Sequence, residues 1–245
     1  LQHPVDDRAD RATDLCATVA PRYDRINDLQ SLGLHRHWKR KLVAFAAIQP
    51  GQRALDLCCG TGDVSFALAR AGAEVTGLDF SAPMLAVAHR RQFKIKNSKL
   101  KKSDDLSNVR FLQGDALKTP FPDGNFDVVT ISYGLRNLAN FEGGLEEMWR
   151  VTRPGGRLLV LDFGRPDNAA WRGLYFGYLR WFVPLFGKIF CGDSATPAYI
   201  LESLQHYPAQ SGAARKMRLV GCRSGAIPRL LAGLVSNHGR QRPPD

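Results

Sequence analysis

The sequence predicts an α/β fold in which helices cover both faces of a mostly parallel sheet. Short apolar runs with the character of buried strands alternate with segments of helical periodicity between residues 49 and 165. Glycine-containing turns separate several of these segments, and polar side chains stand directly after the strands. The 245 residues are enough for one sizeable domain of this kind.

A helical cap is predicted before the sheet, over residues 1–48. From Asp6 to about Phe45, apolar residues recur at steps of three and four, and Pro21 interrupts the pattern. The turn sequence QPGQ at residues 49–52 then ends the helical rhythm. The sheet is therefore expected to begin near residue 53.

The core of the fold is predicted over residues 49–165 and alternates strands with helices. The strands are expected at residues 53–58, 74–79, 109–112, 126–131 and 157–161, and the helices at 64–71, 82–91 and 141–151. Ser81 precedes the second of these helices, where its side chain can cap the helix N-terminus. Since parallel sheets bind ligands beyond the carboxyl ends of their strands, the residues directly after each strand are the candidates for a functional site.

The last part of the chain, residues 166–245, is predicted to hold a substrate or lid segment and the closing strands of the same domain. Residues 171–190 are rich in aromatic side chains, but basic residues and Pro184 argue against a membrane-spanning helix there. Two interpretations stay open for this stretch: a helix packed on the core, or an amphipathic element at a membrane surface.

The chain is basic, with a formal net charge of +11. Part of the excess lies in the stretch KIKNSKLKK at residues 94–102, which we interpret as a solvated surface insertion. It has no aromatic side chains on which bases could stack, so a nucleic-acid partner is not expected.

Five cysteines without CxxC spacing argue against a disulfide framework and against a zinc site, and no metal is expected. The first residues are polar and acidic and do not have the pattern of a signal peptide. The expected location is the cytoplasm, with peripheral contact on the inner face of the membrane.

The sequence LDLCCGTGD at residues 55–63 is the strongest candidate for a ligand-binding turn. A strand that runs into glycines lets the backbone approach a ligand, and the following helix presents its N-terminus there. A dinucleotide fold would place a third glycine where Ser65 stands, and Asp63 would repel a pyrophosphate. A positively charged ligand without phosphates fits this turn better.

Carboxylates also follow the second and third predicted strands. Asp79 ends the second strand, where it can accept hydrogen bonds from both hydroxyls of a ribose. Asp115 follows the third strand and can accept from the amino group of adenine, while the N–H of Ala116 donates to the ring. Either aspartate alone would be interpreted as the cap of a helix or turn. Because these groups follow consecutive strands, they jointly predict nucleoside binding.

These motifs resemble those of class I S-adenosylmethionine-dependent methyltransferases, over about residues 53–162. YDRINDLQSLGLHRHW at residues 23–38 and RVTRPGG at residues 150–156 are similar to the two signatures of the UbiE/MenG/COQ5 quinone C-methyltransferases. SYGLRN at residues 132–137 is similar to the loop after the fourth strand in that family, and GLVSNH at residues 233–238 to its closing strand. The resemblance covers nearly the whole chain.

The resemblance implies a Rossmann-like fold with a seven-stranded sheet, S-adenosylmethionine as the cofactor, and C-methylation of a polyprenylated quinol. The apolar tail of such a substrate would explain an aromatic lid or a membrane contact. The cofactor-binding residues that it implies are Gly60, Thr61, Gly62, Asp79, Asp115, Ala116 and Ser132.

Methyl transfer to a quinol needs a nucleophilic ring carbon, which forms as the neighbouring hydroxyl loses its proton. A general base is therefore expected near the substrate. Arg136 is a candidate to stabilise the phenolate as it forms, and Tyr23 and His35 are candidates to orient or deprotonate the hydroxyl. A helix-surface or cap role stays open for His35, and closure of a lid over the cofactor stays open for Tyr23.

The motifs LDLCCGTGD and GLDFS look most like the naphthoquinone branch of the family and favour demethylmenaquinol as the substrate. Two alternatives stay open: a benzoquinol of ubiquinone biosynthesis, and another small molecule methylated on the same fold. An NAD-dependent oxidoreductase is disfavoured by Ser65 and by the Asp115–Ala116 pair. A homo-oligomer stays open as well.

Overall fold

The structure of the protein is a computed structural model that describes residues 33–97 and 106–163, Gly173 and Gly177, and the backbone of residues 229–230 and 235–241. Tyr23 lies outside the described residues, and so do residues 171–190 apart from Gly173 and Gly177. The roles assigned to them, and the division of the chain into three parts, stay predictions.

In the described chain a helix follows each of the first, second and fourth strands, as the sequence predicts, whereas the third strand leads to the fourth without a helix. The helices are α1 (Leu34–Ala46), α2 (Asp63–Arg70), α3 (Ala82–Lys96) and α4 (Phe141–Val151), with a 3-10 helix at Leu135–Asn137. The strands are β1 (Arg53–Leu57), β2 (Glu74–Asp79), β3 (Val109–Gln113), β4 (Phe126–Ser132), β5 (Thr152–Phe163), β6 (Arg229–Leu230) and β7 (Val235–Gln241).

The described strands form one seven-stranded sheet in the order β3-β2-β1-β4-β5-β7-β6. Neighbours among β1 to β5 run parallel, whereas β7 is antiparallel to β5 and to β6. The predicted mostly parallel seven-stranded sheet is confirmed. The chain moves outward from β1 to β3 on one side and from β4 to β5 on the other. The switch point, where such folds bind ligands, therefore lies at the carboxyl ends of β1 and β4.

Buried apolar side chains cover both faces of the sheet. Ala54 and Leu159 point to the face that α1 and α2 cover, whereas their neighbours Leu55 and Leu158 point to the face that α4 covers. This follows from the alternation of side chains along a strand. It explains why the strands read as continuous apolar runs, since both faces are buried.

Helix α1 buries one face and is tied to the sheet at its carboxyl end. Its buried residues recur at steps of three and four, which is the spacing of one helix face: His35, Trp38, Leu42 and Ala46. The guanidinium of Arg157 on β5 donates hydrogen bonds to the carbonyl oxygens of Ala46 (2.5 Å) and Ala47 (2.8 Å). These bonds satisfy carbonyl groups that the end of the helix leaves without helical partners.

Helix α3 is longer than the periodicity predicts, because it continues to Lys96 rather than ending at Arg91. The first part of the lysine-rich stretch is therefore helical. The side chain of Gln92 donates to the carbonyl oxygens of Leu106 (2.9 Å) and Val109 (2.8 Å), and Ile95 packs against the core. These long-range contacts stabilise a turn of helix whose own apolar pattern is weak.

Strand β5 is also longer than predicted, because it begins at Thr152 and includes Pro154, Gly155 and Gly156. Thr152 pairs with Phe126 ahead of these residues, and the pairing with β4 then shifts register. Gly155 has a φ of 72°, a conformation that glycine adopts without strain. The strand therefore continues through an irregularity rather than starting after it.

The ring of Phe111 on β3 lies against two glycines. A Cβ on Gly62 would approach this ring to 2.9 Å, and a Cβ on Gly77 would approach it to 2.7 Å. Phe66 and His89 meet the same ring edge to face, with centroids 5.6 and 5.4 Å away. We call these five residues the Phe111 cluster. The cluster sets how closely the turn after β1 packs on β2 and β3.

Candidate active site

A cleft opens at the switch point between β1 and β4. The turn after β1, the start of α2, the end of β4 and one side chain from α1 form its walls. The lining residues are Lys39, Asp56, Cys58, Cys59, Gly60, Thr61, Asp63, Val64, Ser132 and Tyr133. The structure thus brings together Gly60, Thr61 and Ser132 of the predicted cofactor site.

The glycine turn after β1 is held by Asp79 at the end of β2. The N–H of Gly60 donates to Oδ2 of Asp79 (2.7 Å), and the N–H of Ser81 donates to Oδ1 (2.9 Å). Gly60 and Gly62 have φ values of 54° and 86°, which non-glycine residues rarely adopt. A Cβ on Gly60 would meet no atom within 4 Å, so a ligand can approach the backbone there.

Burial raises the pKa of Asp79 above its usual value, while the N–H groups of Ser81 and Gly60 act to lower it. Each carboxylate oxygen has more than one lone pair, so both can still accept from a ribose. The prediction that Ser81 caps α3 with its side chain is wrong. Ser81 stands at the N-cap position, but its side chain makes no cap hydrogen bond and only its backbone N–H bonds to Asp79.

Asp115 and Ala116 follow β3, next to the end of β2. The N–H of Gly114 donates to the carbonyl oxygen of Asp79 (3.1 Å), which joins the two strand ends. Ala116 is buried, whereas Asp115 is exposed and accepts the N–H of Leu117 at Oδ1 (2.8 Å). Asp115 thus caps a local turn, in agreement with the alternative interpretation of this aspartate as a cap. Its adenine contact stays a prediction.

Asp63 at the start of α2 is paired with two cations from other helices. Nζ of Lys39 on α1 lies 2.9 Å from Oδ2, and Nη2 of Arg91 on α3 lies 2.5 Å from Oδ1. Arg91 also donates to the hydroxyl of Thr61 (2.8 Å). Burial alone would raise the pKa of Asp63, but the two cations lower it to about 2. Its negative charge is therefore compensated within the protein, which the sequence does not reveal.

Asp56 is a buried carboxylate of the cleft that the sequence analysis missed. Its two oxygens accept hydrogen bonds from Ser65 (2.6 Å) and Thr130 (2.8 Å). Burial raises its pKa to about 6, although these hydroxyls and the charge of Lys39 act to lower it. An aspartate inside an otherwise apolar strand is the signal that could have identified it.

Ser132 ends β4 inside the cleft. Its hydroxyl is buried and, among the described residues, meets no hydrogen-bond partner. Beyond it, Gly134 packs so closely on Cys58 that any Cβ at residue 134 would clash with the cysteine side chain. The turn after β1 and the loop after β4 are therefore in direct contact, and Ser132 has a hydrogen bond to offer to a ligand.

Arg136 lies in the 3-10 helix after β4 and forms a buried ion pair with Asp162 on β5. Its backbone N–H also donates to Asp162 (3.1 Å), and its guanidinium lies 6.0 Å from the ring centre of Tyr133. The pairing fixes the orientation of Arg136 beside the cleft.

His35 lies on the buried face of α1, so its alternative interpretation as a helix-surface residue is wrong. It stands one turn before Lys39, which lines the cleft. The catalytic roles of His35, Arg136 and Tyr23 stay predictions.

S-adenosylmethionine, the cofactor implied by the resemblance, fits the residues of this cleft. The open space beside Gly60 admits a ligand, and the hydroxyl of Ser132 can bond to it. The carboxylates of Asp56 and Asp79 suit a ligand with a sulfonium and an ammonium group. Within the described ranges, no three metal-ligating side chains cluster, and no helix is long and apolar enough to cross a membrane.

The chain matches the ubiE/COQ5 methyltransferase family over residues 5–241. It is 36% identical over 240 residues to the "Ubiquinone/menaquinone biosynthesis C-methyltransferase UbiE" of Azotobacter vinelandii, which covers 98% of this chain and 93% of that protein. It is 37% identical over 243 residues to the protein of the same name from Stutzerimonas stutzeri, which covers 98% and 92%.

Among solved structures, the fold is similar to that of an S-adenosylmethionine-dependent methyltransferase from Aquifex aeolicus. The TM-score is 0.60 at 17% identity, over 89% of this chain and 97% of that one. This likeness supports the fold, and the family match extends over the cleft and the sheet alike. The chain therefore belongs to the ubiE/COQ5 methyltransferase family and is a methyltransferase that uses S-adenosylmethionine.

Proposed function

We propose that this methyltransferase transfers a methyl group to a ring carbon of a polyprenylated quinol and that its substrate is demethylmenaquinol, which becomes menaquinol. The proposal rests on 36–37% identity, over 98% of the chain, to relatives named "Ubiquinone/menaquinone biosynthesis C-methyltransferase". The motifs LDLCCGTGD and GLDFS favour the naphthoquinol. A benzoquinol is the second candidate, because the name of those relatives covers both quinones.

S-adenosylmethionine, when bound, supplies an electrophilic methyl group on its sulfonium. The residues of the chain then have to orient the cofactor against the ring and exclude water. Gly60, Thr61 and Gly62 approach the cofactor with the backbone, Asp79 accepts from the ribose, and Ser132 bonds to it from the opposite wall. Asp115 and Ala116 receive the adenine in this proposal.

The proposal assigns the proton of the quinol hydroxyl to His35, on the buried face of α1, and to Tyr23. His35 deprotonates or orients this hydroxyl, together with Tyr23. Arg136 stabilises the phenolate that forms on the ring. After methyl transfer, the methylated carbon loses its hydrogen as a proton and the ring oxygen is protonated again, which restores the quinol. Its ion pair with Asp162 supports this role, since a guanidinium that is already oriented needs no rearrangement as the charge develops.

The apolar tail of the substrate holds it in a bilayer, so the proposal includes peripheral contact with the inner face of a membrane. Residues 171–190 combine aromatic and basic side chains that suit the headgroup region. The substrate is therefore best presented in liposomes.

The experiment is methyl transfer from labelled S-adenosylmethionine to reduced demethylmenaquinone, with a reduced benzoquinone analogue in parallel. Both quinones are supplied in liposomes, and the label is located in the product by mass spectrometry. The oxidised quinones are the matched control, because their ring carbons are not nucleophilic and should take up no label.

Label in the naphthoquinol, at a higher rate than in the benzoquinol, is the expected result. Label in the benzoquinol alone would keep the reaction type and overturn the substrate. Cofactor binding without transfer to either quinol would overturn the quinol proposal as a whole.

A further inference from the structure

Lys39 is a cation in a cleft whose other walls are acidic or neutral. Among the described residues that line the cleft, Lys39 is the one with a positively charged side chain. Its side chain is 13% exposed and reaches the cleft from α1, outside the sheet. Its ammonium lies 2.9 Å from Asp63 and 6.0 Å from the ring centre of Tyr133.

The cofactor brings three charged groups into this cleft. Its sulfonium and ammonium groups are positive, and the carboxylates of Asp56 and Asp79 can complement them. Its amino-acid carboxylate is negative, and near the carboxylate of Asp56 it would be repelled unless a donor or a cation meets it.

Several backbone N–H groups of the glycine turn are already used within the protein. Cys59 donates to the carbonyl oxygen of Leu78 (3.1 Å), and Gly62 donates to that of Cys59 (2.9 Å). Gly60 donates to the side chain of Asp79 (2.7 Å). A carboxylate therefore cannot take these three donors without breaking bonds that hold the turn.

Asp63 does not depend on Lys39 alone. Arg91 forms its own ion pair with the other carboxylate oxygen of Asp63, so this aspartate keeps a cation if Lys39 turns to a ligand. Arg91 is not among the residues that line the cleft. Lys39 can therefore turn towards a ligand while Asp63 remains paired with Arg91.

We propose that Lys39 binds the amino-acid carboxylate of S-adenosylmethionine, so that helix α1 forms part of the cofactor site. Lys39 then shares its charge between this carboxylate and Asp63. The proposal concerns cofactor binding and is independent of which molecule is methylated.

The test compares two ligands in the absence of any methyl acceptor: S-adenosylmethionine and its decarboxylated analogue, which keeps the sulfonium and the ammonium. Isothermal titration calorimetry gives the Kd of each for the wild-type chain and for Lys39→Met. The substitution should weaken S-adenosylmethionine about tenfold to a hundredfold, as expected for a hydrogen bond to a charged group. It should change the Kd of the decarboxylated analogue by less than about threefold.

Asp63→Asn is the matched control, because it removes the same ion pair and leaves Lys39 in place. It should keep the preference for S-adenosylmethionine over the decarboxylated analogue. Lys39→Arg, which keeps the charge, should recover part of the affinity.

Equal weakening of both ligands by Lys39→Met would overturn the proposal, and so would loss of the preference in Asp63→Asn. The wild-type chain offers a test that needs no variant. If it bound both ligands equally well, no cation would be acting on the carboxylate, and the assignment of Lys39 would fail.

Discussion

Three aspartates lie in or beside the cofactor cleft, and each has a different electrostatic environment. Two cations lower the pKa of Asp63 to about 2, whereas burial raises that of Asp56 to about 6. Burial also raises the pKa of Asp79, which two backbone N–H groups hold in place. The same side chain therefore serves as an ion-pair partner, a buried acid and a backbone cap within one site.

Asp79→Ala is expected to weaken binding of S-adenosylmethionine about tenfold or more, because it removes the proposed ribose acceptor and a partner of Gly60. Calorimetry with the cofactor alone measures this. Asp127→Ala is a matched control, since Asp127 also accepts a backbone N–H (from Arg53, 2.8 Å) but makes no bond to the glycine turn after β1. An unchanged Kd in Asp79→Ala would remove Asp79 from the ribose site.

Position after a strand indicated Asp79 as a candidate, and the family resemblance implied Thr61 and Ser132, which the structure places in the lining of the cleft. Lys39 was not predictable in this way, because α1 brings it into the cleft from outside the sheet, and its ion-pair partner Asp63 lies 24 residues further along the chain. Asp56 was missed because its environment comes from Ser65 and Thr130, which the fold brings together from different elements. Pairing across elements is a tertiary property that spacing does not encode.

At the scale of elements, the 3-10 helix after β4 is joined to β5 through Arg136 and Asp162. The side chain of Arg136 is 8% exposed and that of Asp162 is fully buried. Removal of one partner from such a pair leaves an uncompensated buried charge, which is far more costly than removal of both. The link therefore constrains both the loop and the strand.

Arg136→Met is expected to lower the free energy of unfolding by about 3–5 kcal/mol, and addition of Asp162→Asn should recover part of the loss. Urea unfolding of the two variants measures this difference. If the double variant were no more stable than Arg136→Met, the ion pair would not explain the loss.

The same variant tests the catalytic proposal for Arg136 under conditions in which it stays folded. We expect turnover to fall more than affinity for S-adenosylmethionine, because the phenolate forms only during the reaction. Equal losses in both would leave Arg136 with a purely structural role.

Element bounds were predictable where the local pattern is strong. The predicted limits of β2 and α4 match the structure. The limits of α3 and β5 were wrong because Gln92 and the pairing of Thr152 with Phe126 extend them through contacts distant in sequence. Sequence periodicity describes a segment, whereas its ends here depend on what the segment packs against.

For the whole molecule, stability should depend on the ionisation of Asp56. Burial raises its pKa from 3.8 to about 6, so the folded state binds a proton that the unfolded chain has already released between these values. Stability contributed by the protonated form is therefore present at low pH and is lost as the pH rises through about 6.

Asp56→Asn should become more stable relative to the wild-type chain as the pH rises from 4 to 7, by about 3 kcal/mol at most. Urea unfolding at several pH values checks this. Glu147→Gln should show the opposite trend, because hydrogen bonds from Arg150 and Thr119 outweigh its burial and lower the pKa of Glu147. A difference between Asp56→Asn and wild type that did not vary with pH would contradict the prediction.

The Phe111 cluster has a consequence for how this chain can diverge. The aromatic ring fills the space that a side chain at residue 77 would need, so the sizes of residues 77 and 111 are interdependent, whereas Gly62 is also fixed by its positive φ. A larger residue at 77 becomes tolerable only after the ring has shrunk, and a smaller residue at 111 leaves a void until Gly77 is replaced. In related chains, residues 77 and 111 should therefore change size together, while position 62 in the turn after β1 stays glycine.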